Sequence, residues 1–229
     1  MKTKVFKSVL ICSALIVLVS CSESKKEPVW NEIYTKQGLK IVEADSANIL
    51  VHLRYSTTNN FLGKDVYGNL EEAYLQPEAL SKLYKASELL SKSHPELKLL
   101  IWDAARPRRI QQVLWDKADI PLPERSQYVA NPESGSIHNY GCAIDLTLAD
   151  SSGNPLDMGT DYDDFSETAH IDNEAELILK GVLTDRQVQN RAILRSAMTE
   201  AGFIPIRSEW WHFDAFSRDE TKSRFKIVE

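Results

Sequence analysis

The chain has 229 residues, 43% hydrophobic and 26% charged, with a formal net charge of −6 at pH 7. These fractions suit an ordinary globular protein with one domain and one substantial core. The acidic balance excludes a nucleic-acid partner, which requires a basic face.

The first twenty residues stand apart. Lys2, Lys4 and Lys7 give a basic start, Val9 to Val19 runs almost wholly apolar, and Leu18-Val19-Ser20-Cys21 closes the run. That is the pattern of a bacterial lipoprotein signal over residues 1–20, cut before Cys21 with the thiol acylated. The apolar run is too short to span a bilayer core, which needs about 20 residues. Losing it removes three lysines and moves the formal charge from −6 to −9. With Cys12 removed and Cys21 lipidated, Cys142 has no disulfide partner, so the exported domain must stand on its core or a metal. Residues 21–29 are mostly polar and read as a flexible tether. The domain proper is 30–229.

Leu39 to Leu53 reads as extended segments around a turn, and Tyr55 to Gly68, rich in Asn, Thr, Gly and aromatics, as a loop. Pro77 suits the first position of a helix running to His94, with Leu80, Leu83, Tyr84 and Leu90 at helical spacing. Leu97 to Trp102 is a short apolar strand and Arg108 to Lys117 a helix. Asp119 to Gly135, with three prolines, reads as a long surface loop of the kind that often carries function. Cys142 to Leu148 alternates as a strand, with Ile144, Leu146 and Leu148 on one face and Ala143, Asp145 and Thr147 on the other. Ser151 to Pro155 is a turn. Thr184-Asp185-Arg186-Gln187 is a capping box that opens a helix ending at Gly202. Phe203 to Ile206 and Trp210 to Phe213 read as strands. Without a regular βαβ rhythm, the fold class is α+β: a single domain with a central antiparallel sheet flanked by helices.

Two of the five histidines sit in chemically loaded surroundings. His138 precedes the strand that projects Asp145, and His212 closes Glu209-Trp210-Trp211-His212. Two histidines and one carboxylate make a common catalytic zinc shell with a fourth position open to water. A glutamate that is not a ligand can take the proton from attacking water. In a regular strand Glu209 and His212 would face opposite ways, so the pair can share a site only if the strand twists, bulges or ends there. Cys142 shares the parity of Ile144 and reads as a buried structural thiol rather than a nucleophile. Trp210 and Trp211 read as core and pocket wall. His52, His94 and His170 have no evident partners.

Ser-x-His-x-x-Gly-x-Ala-x-Asp from Ser136 to Asp145, followed by Glu-x-x-His at Glu209 to His212, resembles the D-Ala-D-Ala dipeptidases of the vancomycin-resistance (VanX) type. Arg54 to Phe61 is similar to that family's Tyr-x-Thr-x-Asn-Phe stretch, with one extra Asn. Trp102 to Pro107 matches its Asp-x-x-Arg-Pro segment, and Met158 to Asp163 its Met-Gly-(Ser/Thr)-x-aromatic-Asp segment. The four motifs occur in the family's order.

The resemblance implies a Hedgehog/DD-peptidase-like fold and one Zn2+ per chain held by His138, Asp145 and His212. It implies Glu209 as general base and then acid, Arg106 as stabiliser of the oxyanion, and Tyr55, Ser136 and Asp163 as the substrate pocket. The expected substrate is the small dipeptide D-Ala-D-Ala, and the expected location the cell envelope, on a lipid membrane through acylated Cys21. Two other functions stay open: a zinc D,D-carboxypeptidase acting on peptidoglycan stems, and a non-catalytic zinc-stabilised binding module. The loop Asp119 to Gly135 is shorter than in the resistance dipeptidases, which leaves strict dipeptide preference open. Plainer roles also stand: Arg106 in a surface turn, Tyr55 in the core, Ser136 as a turn cap, and Asp163 in a solvated cluster with Asp157, Asp161 and Asp164.

Overall fold

The computed structural model describes residues 29–44 and 48–229. The signal segment, Cys21 and all of the tether but Val29 lie outside the described residues. Among those described, no helix is long and apolar enough to cross a membrane.

A short helix, α1 (Trp30–Thr35), buries Trp30 and Tyr34. Strands β1 (Lys40–Ile41), β2 (Ile49–Val51) and β3 (Tyr74–Leu75) follow. The extended segments expected between Leu39 and Leu53 are β1 and β2, and they join different sheets. The loop between β2 and β3 opens with a 3-10 turn, Arg54–Ser56. Helix α2 (Pro77–Ser93) begins on Pro77 and buries Ala79, Leu80, Leu83, Ala86 and Leu90, the stripe its spacing foretells. Strand β4 (Lys98–Asp103) leads to α3 (Arg108–Lys117). The loop after it holds one helical turn, α4 (Leu122–Arg125), started by Pro123 at its second position.

Strand β5 (Ala143–Ala149) is buried at every residue. Its alternation therefore separates two covered faces, not a core face from a wet one. Helix α5 (Glu174–Leu179) precedes α6 (Asp185–Glu200). The capping box forms as expected: Thr184 Oγ1 accepts the Gln187 N–H at 3.3 Å, and Gln187 Oε1 accepts the Thr184 N–H at 2.8 Å. The last strands, β6 (Ile204–Pro205) and β7 (His212–Asp214), are shorter than the aromatic content suggests, and α7 (Arg218–Arg224) closes the domain.

The main sheet has the order β2-β4-β5-β7-β6. It is antiparallel except at its edge, where β2 runs parallel to β4. Helices α2 and α6 pack on each other, with α2 also against β4 and α6 against β5. Register is what builds the site. Asp103 on β4 pairs with Asp145 on β5, across a register shift after Ile101, and Asp145 pairs with His212 on β7. Directly paired residues share a face, so three strands deliver three polar side chains to one line.

Candidate active site

His138 enters from a 3-10 turn, Ile137–Tyr140, just ahead of β5. Ser136 caps that turn: its side chain accepts the His138 N–H at 3.3 Å, while Asn139 returns a bond to the Ser136 N–H at 2.7 Å. The turn ends on Gly141 with φ +68°, where an added Cβ would lie 2.6 Å from Leu39 Cδ2. Only glycine fits both the backbone and the space there.

His138 Nε2, Asp145 Oδ1 and His212 Nδ1 converge at separations of 3.1, 3.3 and 2.9 Å. The remaining ring nitrogens settle the tautomers. His138 Nδ1 lies 2.7 Å from the Ala104 carbonyl, which can only accept, so that nitrogen carries the hydrogen. His212 Nε2 lies 2.9 Å from Asp214 Oδ1 and carries its hydrogen likewise. His138 Nε2, Asp145 Oδ1 and His212 Nδ1 are left to meet one another, and either a proton on His212 or a cation at that point answers their lone pairs. Donor atoms about 3.3 Å apart also match tetrahedral coordination with bonds of about 2.0–2.1 Å. These three residues can hold a metal ion.

The charges around them agree. Burial alone would raise the Asp145 carboxyl, but His138 and His212 beside it hold it below the usual carboxylate range. Burial opposes charge on His212, yet its bonds to Asp145 and Asp214 raise its pKa well above the ordinary value. Tyr162 donates its hydroxyl to Asp145 Oδ2 at 2.9 Å, which turns the other oxygen toward the imidazoles.

Glu209 precedes β7 rather than lying within it. That resolves the parity problem, because its Oε2 sits 3.8 Å from His212 Nδ1 on the same side. Burial raises the Glu209 carboxyl above its ordinary value. Arg106 is buried and fully braced: Nε and Nη2 donate to Asp103 Oδ2 at 2.9 and 2.6 Å, and Nη1 to Gln111 Oε1 at 2.9 Å. Burial disfavours its charge, but Asp103 more than compensates and keeps it a cation. Its guanidinium lies 5.0 Å from the centre of the Tyr55 ring and 3.7 Å from Asp145 Oδ2.

Asp163 takes left-handed backbone, φ 60°, a conformation aspartate tolerates better than most residues. Its carboxylate accepts the Tyr55 hydroxyl at 3.1 Å and the Phe61 N–H at 3.2 Å. Burial pushes this carboxyl up to about 8. The neighbouring aspartates do other work: Asp157 and Asp164 accept backbone N–H groups of their own turns, and Asp161 lies 3.4 Å from Arg54. Asp163 alone of the four faces the site.

All eight expected residues of the domain, Tyr55, Arg106, Ser136, His138, Asp145, Asp163, Glu209 and His212, line one cavity of about 230 Å³. Trp211 is part of its wall and Trp210 is buried, as read. Cys142 is fully buried and burial pushes its thiol up to about 12, so it is no nucleophile. Ser136 both caps a turn and reaches the cavity, and Tyr55 is both core and pocket. Sequence reasoning missed Asp103, Gln111, Tyr162 and Asp214. Asp214 had a signal, since two residues beyond His212 on a strand it must share a face with it. Asp103 and Tyr162 lie inside the Asp-x-x-Arg-Pro and Met158–Asp163 motifs, but their contacts, like that of Gln111, come from tertiary packing.

Two buried imidazoles and a carboxylate around one point, with a free glutamate and a braced arginine beside them, are the centre of a metal-dependent hydrolase. The chain belongs to the D-ala-D-ala dipeptidase family of peptidases, whose model matches residues 36–226. It is 36% identical to the D-alanyl-D-alanine dipeptidase of Escherichia coli (strain K12) over 164 residues, 72% of this chain and 77% of that one. It is 30% identical to the D-alanyl-D-alanine dipeptidase of Enterococcus faecium over 175 residues, 70% of this chain and 82% of the relative. A Synechocystis protein of the same name is 28% identical over 170 residues, 61% of this chain and 68% of its own length.

Proposed function

We propose that this metallopeptidase hydrolyses free D-Ala-D-Ala to two D-alanines with one zinc ion, outside the cytoplasm. The observation that carries the reading is Asp163: a carboxyl in the same cavity as the His138, Asp145 and His212 donors, held by Tyr55 and Phe61 and in no ion pair among the described residues. A free ammonium group supplies that partner. The names of the relatives point to the same substrate.

Two nitrogens and one carboxylate oxygen suit zinc, which when bound polarises the peptide carbonyl and lowers the pKa of water. Asp163 and Tyr55 orient the substrate's amino end. Arg106, already fixed by Asp103 and Gln111, stabilises the negative charge that develops on the carbonyl oxygen without having to reorganise. Glu209 takes a proton from the attacking water and delivers it to the leaving nitrogen. Ser136 lines the cavity beside His138. The basic start, apolar run and Cys21 support export and acylation, so a lipid membrane is the second partner and turnover or scavenging of wall dipeptides the setting.

The test is turnover of D-Ala-D-Ala against N-acetyl-D-Ala-D-Ala by the zinc-loaded protein. The free dipeptide should be much the better substrate. Preference for the acetylated form would make the protein a D,D-carboxypeptidase, and stoichiometric zinc with no turnover of either would make it a zinc-stabilised module.

A further inference from the structure

Two guanidinium groups line the cavity, and among the described residues only one of them has a carboxylate partner. Arg106 is ion-paired with Asp103 and spends three of its five N–H donors on Asp103 and Gln111, which leaves two for the reacting carbonyl. Arg218, the first residue of α7, also lines the cavity. It makes one hydrogen bond, from Nη2 to the Gly135 carbonyl at 2.8 Å, and no ion pair among the described residues. A guanidinium carries five N–H donors, so most of this one is unspent. The Gly135 bond ties Arg218 to the segment that immediately precedes Ser136 and His138. Ser136 Oγ accepts the His138 N–H and donates to nothing among the described residues, which leaves its hydroxyl proton available beside that segment.

The two charged groups are thus tied to different segments of the lining. Asp163 is tied to Tyr55 and Phe61, which form one wall, and Tyr162 next to it bonds the Asp145 side of the metal-binding group. Arg218 is tied to Gly135 on the His138 side. A dipeptide is a zwitterion whose two charged ends are separated by two residues, about 7 Å of extended chain. With its ammonium at Asp163 and its peptide bond at the metal-binding group, its carboxylate needs a cation elsewhere in the lining, and Arg218 is the one with donors to spare. We propose that Arg218 binds the substrate's terminal carboxylate and makes the enzyme selective for a free C-terminus. This rests on the dipeptidase reading above.

A planar guanidinium matches a carboxylate with two parallel N–H bonds, which an ammonium cannot reproduce. Arg218 is exposed, so its pull on a small anion is screened by salt and appears in substrate binding rather than in the chemical step. The experiment compares D-Ala-D-Ala with D-alanyl-D-alaninamide, whose C-terminus is uncharged, in zinc-loaded wild type, Arg218→Gln and Arg218→Lys. For the free acid, Arg218→Gln should raise KM by about 10–100-fold with kcat nearly constant, the size expected for a charged hydrogen bond. Arg218→Lys should recover part of that loss. For the amide, the variants and wild type should differ little, and the wild type's preference for the acid should disappear in Arg218→Gln. Equal losses on both substrates mean that Arg218 only supports the fold, and an unchanged KM for the acid means that it does not meet the carboxylate. Either result overturns the assignment while the dipeptidase reading stands. A zinc-loaded wild type that cleaves neither substrate overturns the dipeptidase reading, and this assignment with it.

Discussion

Replacing Asp163 with Asn tests how the pocket recognises an amino terminus. The change keeps the side-chain shape and leaves an oxygen to accept the Tyr55 hydroxyl, now at 3.1 Å. It removes the charge and turns an NH2 group toward the Phe61 N–H, which loses its acceptor at 3.2 Å. A hydrogen bond to a charged group contributes about 1.5–3 kcal/mol. That converts to a rise in KM of about 10–150-fold for D-Ala-D-Ala. The pH dependence follows from the same carboxyl. Burial pushes Asp163 up to about 8, so below that value the free enzyme carries it mostly neutral. Binding an ammonium requires the ionised form, whose fraction grows about tenfold per pH unit up to the midpoint. KM for wild type should therefore fall as pH rises from 6 to 7, and rise again above about 8 as the substrate's own amine loses its proton. A divalent ion in the shared cavity moves the lower midpoint down from its metal-free position, not up. Asp163→Asn should lose the acid limb and keep the alkaline one. The assay is D-alanine release across pH 5.5–9, with a melting temperature to separate the Phe61 effect from loss of fold. A variant that keeps the falling KM between pH 6 and 7, or that loses kcat alone, refutes this role for Asp163.

Glu209→Gln should cut turnover by about 10²–10⁴-fold with zinc content unchanged by elemental analysis, whereas His212→Ala should lose the metal itself. Tyr162→Phe deletes the hydroxyl that holds Asp145 Oδ2 at 2.9 Å, and zinc affinity measured by competition with a chelator should fall about 10–100-fold. Gly159 sits at φ +87° with space for a Cβ only 2.3 Å from Leu183 Cδ2, so Gly159→Ala should destabilise by about 1–3 kcal/mol and lower the melting temperature by several degrees. On the proposed lipidation, the native chain should enter the detergent phase and Cys21→Ser should not, and unchanged partitioning after cleavage at residue 20 would show that no lipid is carried there.

The sequence disclosed the parts of this protein that local rules govern. Helix α2 was legible from Pro77 and its leucine stripe, α6 from its capping box, and β5 from the alternation of Ile144, Leu146 and Leu148. Helices α1 and α5 were not, because each has six residues and neither has a side-chain cap. Helix α7 did carry a signal, since Ser217 caps the Glu220 N–H, but with Thr221 its only buried residue it shows no apolar face. Strand β6 was read too long because Pro205 offers no N–H to extend the ladder. In the site, motif order brought out eight of the residues that line the cavity, while the supporting roles of Asp103 and Tyr162, though both lie within the motifs, and of Gln111 stayed hidden. Asp103, Gln111 and Tyr162 act across 3, 5 and 17 positions of chain through the sheet register and a folded-back loop. No periodicity encodes such meetings.

Those supports explain why the cavity can hold so many ionisable groups. Burying a charge is tolerated only when a partner of opposite sign is in place. Asp103 and Arg106 neutralise each other at 2.6 Å. Asp145 lies against both imidazoles and Asp214 against that of His212, so two carboxylates surround the ring nitrogens that can turn lone pairs to a metal ion. Glu209 has only His212 at 3.8 Å and Asp163 has no ion pair among the described residues, and burial shifts both toward the neutral form. The first must be ionised before it can take a proton from water, and the second is held ionised when an ammonium arrives. Arg218 is the remaining cation in the wall without a counter-charge. A ligand that restores the balance at every position carries one positive end, one negative end and a polarisable carbonyl between them, which is the description of a free dipeptide.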